Sequence, residues 1–215
     1  MKTHYIPLSV FAVAAVFATG CASHSSSSKN YNKAGKTSTS LQETAVSIDK
    51  GEVQIDAVLV ALSDLVNNPG DDIKPQFKQF EGAMDKLEAL AKDVREQATA
   101  MQEQGAAYFQ QWEADLVTIE DENIRSRSTG RKNTVAARFD RVRSSYAVTN
   151  AAFTPFMSRL ADVRTALTTD LTSGGLSSVR AAADRADSDA TPLREALRQL
   201  SADFKHLGLS LSSTR

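Results

Sequence analysis

Apolar residues recur at alternating steps of three and four along most of this chain, and only long amphipathic helices packed on one another can bury such a pattern. One stripe holds Leu41, Ala45, Ile48, Ile55, Leu59, Leu62 and Val66. A second holds Phe77, Phe80, Met84, Leu87, Ala91, Val94, Ala98, Met101, Gly105, Tyr108 and Trp112, with Pro75 at its start, where the missing N–H costs nothing. The third runs through Val135, Phe139, Val142, Tyr146, Thr149, Phe153, Phe156, Leu160, Val163 and Leu167, and the fourth through Val179, Ala183, Ala186, Ala190, Leu193, Leu197, Leu200, Phe204 and Leu207. Breakers separate them at Asn67-Asn68-Pro69-Gly70, Asp121-Glu122-Asn123 and Ser173-Gly174-Gly175. The expected helices cover about 38–67, 74–120, 124–172 and 177–208, in one domain over 37–211.

Short connections between long helices make sequential neighbours antiparallel. Folding the chain at each turn brings the stripes into register: Leu167 meets Val179, Phe153 meets Leu193, and Val142 meets Phe204. The volumes also balance, as close packing requires. Ala91 falls opposite Phe153, Ala98 opposite Tyr146, and Gly105 opposite Phe139, while Leu62, Phe80, Val163 and Ala183 share a layer. The expected architecture is all-α, a long antiparallel up-down-up-down four-helix bundle of coiled-coil type. Its body is roughly 35 to 40 Å long at 1.5 Å per residue. From about Gly105 to Arg138 the middle helices are expected to project as a two-helix hairpin tip.

That tip is one of two candidate sites. Its second helix carries Glu103, Glu113, Asp115, Glu120, Asp121 and Glu122, and its third carries Arg125, Arg127, Arg131, Lys132, Arg138, Arg141 and Arg143. An antiparallel hairpin sets these opposite charges side by side and so fixes register. Phe109, Trp112, Leu116 and Ile119, however, face a stretch from Arg125 to Thr134 with no large apolar residue. Trp112 therefore either stacks on Arg131 or Lys132 or leaves apolar surface exposed as a contact site. The second candidate is the level where Gly51, Pro155 and Pro192 coincide near Glu52. Each proline removes a backbone donor. The level is thus a shared kink with a polar pocket around Glu52, or only a curve with Glu52 turned outward.

The first twenty residues have the layout of an export signal: Lys2, an apolar run from Ile6 to Ala18, then Ala18-Thr19-Gly20 before Cys21. The apolar run is shorter than the roughly 20 residues that span a bilayer. The segment resembles the lipobox of bacterial lipoproteins, with Ala18 where Leu is commoner, which implies cleavage over 1–20 and lipid on Cys21. The other possibility is an ordinary cleaved signal with a free thiol. Cys21 is the only cysteine, so lipid there leaves no disulfide or thiolate metal site. By the same likeness, Ala22 in place of the Asp that retains lipoproteins at the inner membrane points to the periplasmic face of the outer membrane. Residues 21–36, rich in Ser, Asn, Lys and Gly, are expected to form a flexible tether with a reach on the order of 20 Å.

Tyr108-Phe109-Gln110-Gln111-Trp112-Glu113-Ala114-Asp115-Leu116, followed by the basic start of the third helix, resembles a bacterial lipoprotein family known as domain-of-unknown-function family 2959. Thr154-Pro155-Phe156 and Leu193 to Phe204 also fit it. The resemblance covers about residues 40–208, implies a helical protein, and assigns no activity.

The search for chemistry finds little. Outside the signal the histidines are His24, in the tether, and His206, near the last helical turn, where a lone histidine satisfies a helix end more often than it binds metal. There is no phosphate-cradling glycine loop, nucleophile motif or metal-ligand spacing. The chain has 25 basic and 26 acidic residues, a balance that gives no reason to expect nucleic acid. The expectation is a protein that is not an enzyme and takes no cofactor or metal. It would be a membrane-anchored helical scaffold or adaptor with a protein partner in the envelope. The alternative is a small-molecule or lipid binder at the Glu52 level.

Overall fold

The computed structural model describes residues 27–212, so Cys21 and the signal expected over 1–20 lie outside the described residues. Four helices follow in order: α1 (Ser27–Asn67), α2 (Lys74–Val117), α3 (Glu122–Thr169) and α4 (Ser173–Leu211). No strand occurs among the described residues.

α1 packs against α2 and α4, and α3 against α2 and α4, which closes the expected up-down-up-down bundle. The register is explicit in side-chain bonds. Between α1 and α4, Asp49 meets Lys205, Glu52 meets Arg198, and Asp56 meets Arg194, with numbers rising on one helix as they fall on the other. Thr149 on α3 donates to the Ala196 carbonyl of α4 at 3.1 Å, and Arg159 pairs with Asp189 at 2.8 Å. Arg164 reaches back from α3 to Asp85 and Glu88 of α2, 3.2 Å from each. Exposed ion pairs add little stability singly, but as a ladder they disfavour slipped registers.

The core forms two blocks. The lower one joins Leu62, Phe80, Val163 and Ala183 with Leu59, Met84, Leu160 and Ala186, as the matched volumes predict. The upper one joins Leu41, Met101, Val142 and Phe204 with Val135, Phe139, Leu207 and Leu211. Gly105 lies against Phe139, for a Cβ there would sit 2.4 Å from Cε1 of the ring. Between the blocks α2 and α3 draw apart, leaving a cleft lined by Ala91 and Val94 on one side and Tyr146 and Phe153 on the other. Tyr146 and Phe153 are consequently half-buried, and Ser145 turns into the core beside them.

Three helix starts differ from expectation for local physical reasons. α1 begins at Ser27 and not near Ser38, so residues 27–36 are helical and not a loose tether. The join is secured where the buried Ser38 hydroxyl donates to the Gly208 carbonyl at 2.8 Å. α3 starts at Glu122 because Asp121 caps it, accepting from the Ile124 N–H at 2.9 Å. Ser173, Gly174 and Gly175 are the first turn of α4 and not a breaker; Thr172 caps that turn by accepting from the Gly175 N–H.

The tip is shorter than Gly105 to Arg138. α4 continues through Gly208 to Leu211, and Val135 and Phe139 are buried beside it. Arg131 donates to the Ser210 carbonyl near the end of α4, so only the stretch beyond that level projects. From Glu122 to Arg131 this is about 14 Å of helix.

Candidate functional site

At the tip, most of the cationic side chains that could have formed a free basic patch hold the fold together. Arg131 donates to the carbonyl of Ser210, in the last turn of α4 where helical partners run out, and Arg138 donates to that of His206 one turn earlier. Arg125 donates to the Ile119 carbonyl at 3.0 Å, closing the end of α2 in the same way. Lys132 pairs with Glu113 across the hairpin. Arg127 is exposed.

The tip aromatics form a chain of edge-to-face contacts. Tyr108 meets Trp112 with ring centres 5.4 Å apart, Tyr108 meets Phe109 at 5.8 Å, and Phe109 meets Phe139 at 5.1 Å. The Trp112 indole N–H donates to the Ser128 hydroxyl at 3.1 Å. Trp112 is thus half-buried against the upper block and closes the hairpin. Burial pushes the Tyr108 phenol upward, and the Arg131 charge partly offsets this. Leu116, expected as contact surface, is only 7% exposed. The apolar side chains that do stand out are Val117, 82% exposed, and Ile124, 58% exposed, on either side of the turn. The interrupted stripe marked the tip, but the end of α2 decides which side chains face out.

At the level of Gly51 the structure separates the features that the sequence places together. Glu52 lies on the α1–α4 side and pairs with Arg198. Pro155 and Pro192 are exposed on the outer faces of α3 and α4, which run unbroken through them. The space at this level lies elsewhere, in the gap between the core blocks. It is a largely apolar cleft of about 60 Å³ lined by Gly51, Ala91, Val94, Tyr146, Phe153 and Leu197, and Glu52 is not part of its wall.

A family model described as a protein of unknown function, DUF2959, matches residues 29–204. The chain belongs to the DUF2959 family. The match takes in the tip, the lower core block and most of the upper one, and it includes the segment Tyr108 to Leu116 that carries the resemblance. No curated protein matches, and no solved structure does.

Two features of this DUF2959 chain have weak signals in the sequence. Val46, Val53 and Val60 stand exposed at seven-residue spacing on the outer face of α1, a second stripe hidden beside the first. Asp203 is buried, and its Oδ2 has no hydrogen-bond partner; it borders a groove of about 260 Å³ with Arg138, Arg141, His206 and Leu209. Asp49, on the α1–α4 seam, balances opposing influences. Burial pushes its carboxyl up, but the hydroxyl of Ser201 and the ammonium of Lys205 outweigh this and hold it below the usual range. Stability from Asp49 is therefore present above the unfolded carboxylate range and lost as pH falls through its lowered value. Among the described residues no group of three or more His, Cys, Asp or Glu is placed to hold a metal ion, and no helix is long and apolar enough to cross a membrane.

Proposed function

We propose that this protein is a lipid-anchored helical scaffold of the cell envelope, held by acyl groups on Cys21 at the periplasmic face of the outer membrane. The observation that carries the scaffold role is the cross-helix stitching of the bundle. Side-chain bonds tie α1 to α2 through Gln54 and the Ala83 carbonyl, α1 to α4 through Asp56 and Arg194, α2 to α3 through Asp85 and Arg164, and α3 to α4 through Arg159 and Asp189. A body so tied transmits position along its length, which is what a spacer requires. The exposed valines of α1 are the partner surface in this proposal, since apolar side chains repeated on one helix face suit helix-to-helix contact. A ligand-binding role at the Glu52 level has less support. A ligand pocket encloses about 300 Å³ or more, several times the cleft found there.

Two measurements test the proposal. Cys21→Ser is expected to move the protein from the membrane fraction to the soluble periplasm, or to leave it unprocessed with the signal attached. Unchanged fractionation and mass would sink the anchor. A photocrosslinking residue at Val53 is expected to trap a specific envelope protein in cells, whereas one at exposed Lys92 is not. Matching crosslink patterns from the two positions would remove α1 as the partner face.

A further inference from the structure

We infer that the α2–α3 tip is a membrane-docking surface suited to a zwitterionic lipid headgroup layer. The inference rests on the anchor proposed at Cys21 and adds to it the direction in which the bundle stands. α1 runs antiparallel to α4: Ser38 meets Gly208 near the C-terminal end of α4, while the Val66 carbonyl meets Arg180 near its start, at 3.1 Å. α1 therefore begins at the tip end of the bundle. From Ser38 back to Ser27 it extends about 16 Å further, close to the distance by which α3 outruns α4. The segment from Cys21 to Ser27 spans about 20 Å even when fully extended. Acyl groups on Cys21 thus hold the tip end at the bilayer, and the opposite end, at Asn67, stands about 60 Å along the helix axis from Ser27.

The tip carries the chemistry for that position. Val117 and Ile124 are its most exposed large apolar side chains and flank the turn that leads the hairpin. Between and beside them stand exposed charges of both signs, Glu120, Asp121 and Glu122 with Arg125 and Arg127, of which Asp121 also caps α3 and Arg125 also donates to the Ile119 carbonyl. A uniformly anionic surface would repel the glutamates. A layer of phosphate and ammonium groups offers a partner to each sign, and two aliphatic side chains enter the interface beneath them. Burial of each is favourable in proportion to the apolar area it removes from water, a gain that only an already tethered domain turns into stable contact.

Trp112 is the sole tryptophan of the chain and lies in the tip, so it reports this contact directly. Protein purified from the membrane fraction, with its acyl mass verified, is reconstituted in vesicles of phosphatidylethanolamine and phosphatidylcholine containing dansyl-labelled headgroups. Energy transfer from Trp112 is expected to be several-fold greater than from Trp112→Phe/Val60→Trp, whose indole lies about 50 Å along α1 from Ser27. Val117→Asp with Ile124→Asp changes only exposed side chains, and is expected to lower the transfer to what the tether alone maintains while the protein stays vesicle-bound with an unchanged melting temperature. Equal transfer from the two indole positions would mean that the bundle lies flat and overturns the docking. So would an unaffected double-aspartate variant, or acylated, vesicle-bound protein with no transfer from Trp112. Absence of acyl mass would overturn the anchor itself, and the docking with it.

Discussion

Gly105→Leu and Phe139→Ala are each expected to destabilise the protein, and the two combined are expected to lose less than the sum. A Cβ on Gly105 would approach Cε1 of Phe139 to 2.4 Å, so any side chain there displaces the ring. The ring has little freedom to move, because it is buried and Phe109 stands edge-on to it at 5.1 Å. Overpacking of this kind costs about 1 to 3 kcal/mol. The better helix propensity of Leu, roughly 0.8 kcal/mol over Gly, offsets part of that. Phe139→Ala leaves a cavity and is expected to cost about 3 to 5 kcal/mol. In the double variant the leucine enters the volume vacated by the ring, so a favourable coupling of about 1 to 3 kcal/mol is expected. Urea unfolding of the four proteins reads this as midpoints, with the slope checked for constancy. Strictly additive losses would mean that the two residues do not share one space, and the register of α2 on α3 would have to be redrawn.

This pair was legible in the sequence because one residue without a side chain faces one of the largest. The same logic reaches the layer of Leu62, Phe80, Val163 and Ala183, where three large side chains meet an alanine, and all four lie in one block. Periodicity alone says that a residue is on the inner face; complementary volume says which residue it meets. Volume can also mislead. Ala91 opposite Phe153 and Ala98 opposite Tyr146 read as matched small-to-large pairs, yet Tyr146 and Phe153 are only half-buried and line a cleft with Ala91 and Val94. The small Ser145, off the expected stripe, is buried in their place.

The candidate sites were less legible, because each depends on where a helix ends and not on its period. Whether Leu116 or Val117 faces solvent follows from how the last turn of α2 meets the start of α3, a matter of one residue. The arginines of α3 read in the sequence as partners for the acidic side chains of α2. Arg131 and Arg138 instead donate to carbonyls near the end of α4, and that use required knowing that α4 continues to Leu211. The start of α1 at Ser27 was hidden by a serine- and glycine-rich composition that reads as tether. A helical lead-in places the beginning of the bundle at the tip end, and the proposed docking rests on that placement.

Gly175→Ala is expected to destabilise the protein by about 3 kcal/mol, whereas Gly174→Ala, one residue earlier, is expected to be neutral or stabilising. Neither glycine has a positive φ, so conformational freedom is not what distinguishes them. Space is. A Cβ on Gly175 would fall 1.9 Å from the carbonyl oxygen of Asp170 and 3.0 Å from its carbonyl carbon, and both are backbone atoms. They cannot yield as a side chain would, because the Asp170 N–H is bonded to the Ala166 carbonyl at the end of α3 and the Leu176 N–H to the Thr172 carbonyl. A Cβ on Gly174 finds only the Thr172 hydroxyl, at 3.5 Å, and gains up to about 1 kcal/mol of helix propensity. At roughly 2 to 4 °C per kcal/mol for a protein of this size, thermal melting should place the two variants on opposite sides of the parent, or leave Gly174→Ala level with it. The loss at Gly175 should fall mainly on the lower core block, since this turn sets how Leu176 and Val179 enter it and how Arg180 reaches the Val66 carbonyl. Hydrogen exchange can locate it there. Equal melting temperatures for the two alanine variants would show that the turn relaxes freely, and that the close approach of α3 and α4 at Gly175 does not hold the hairpin.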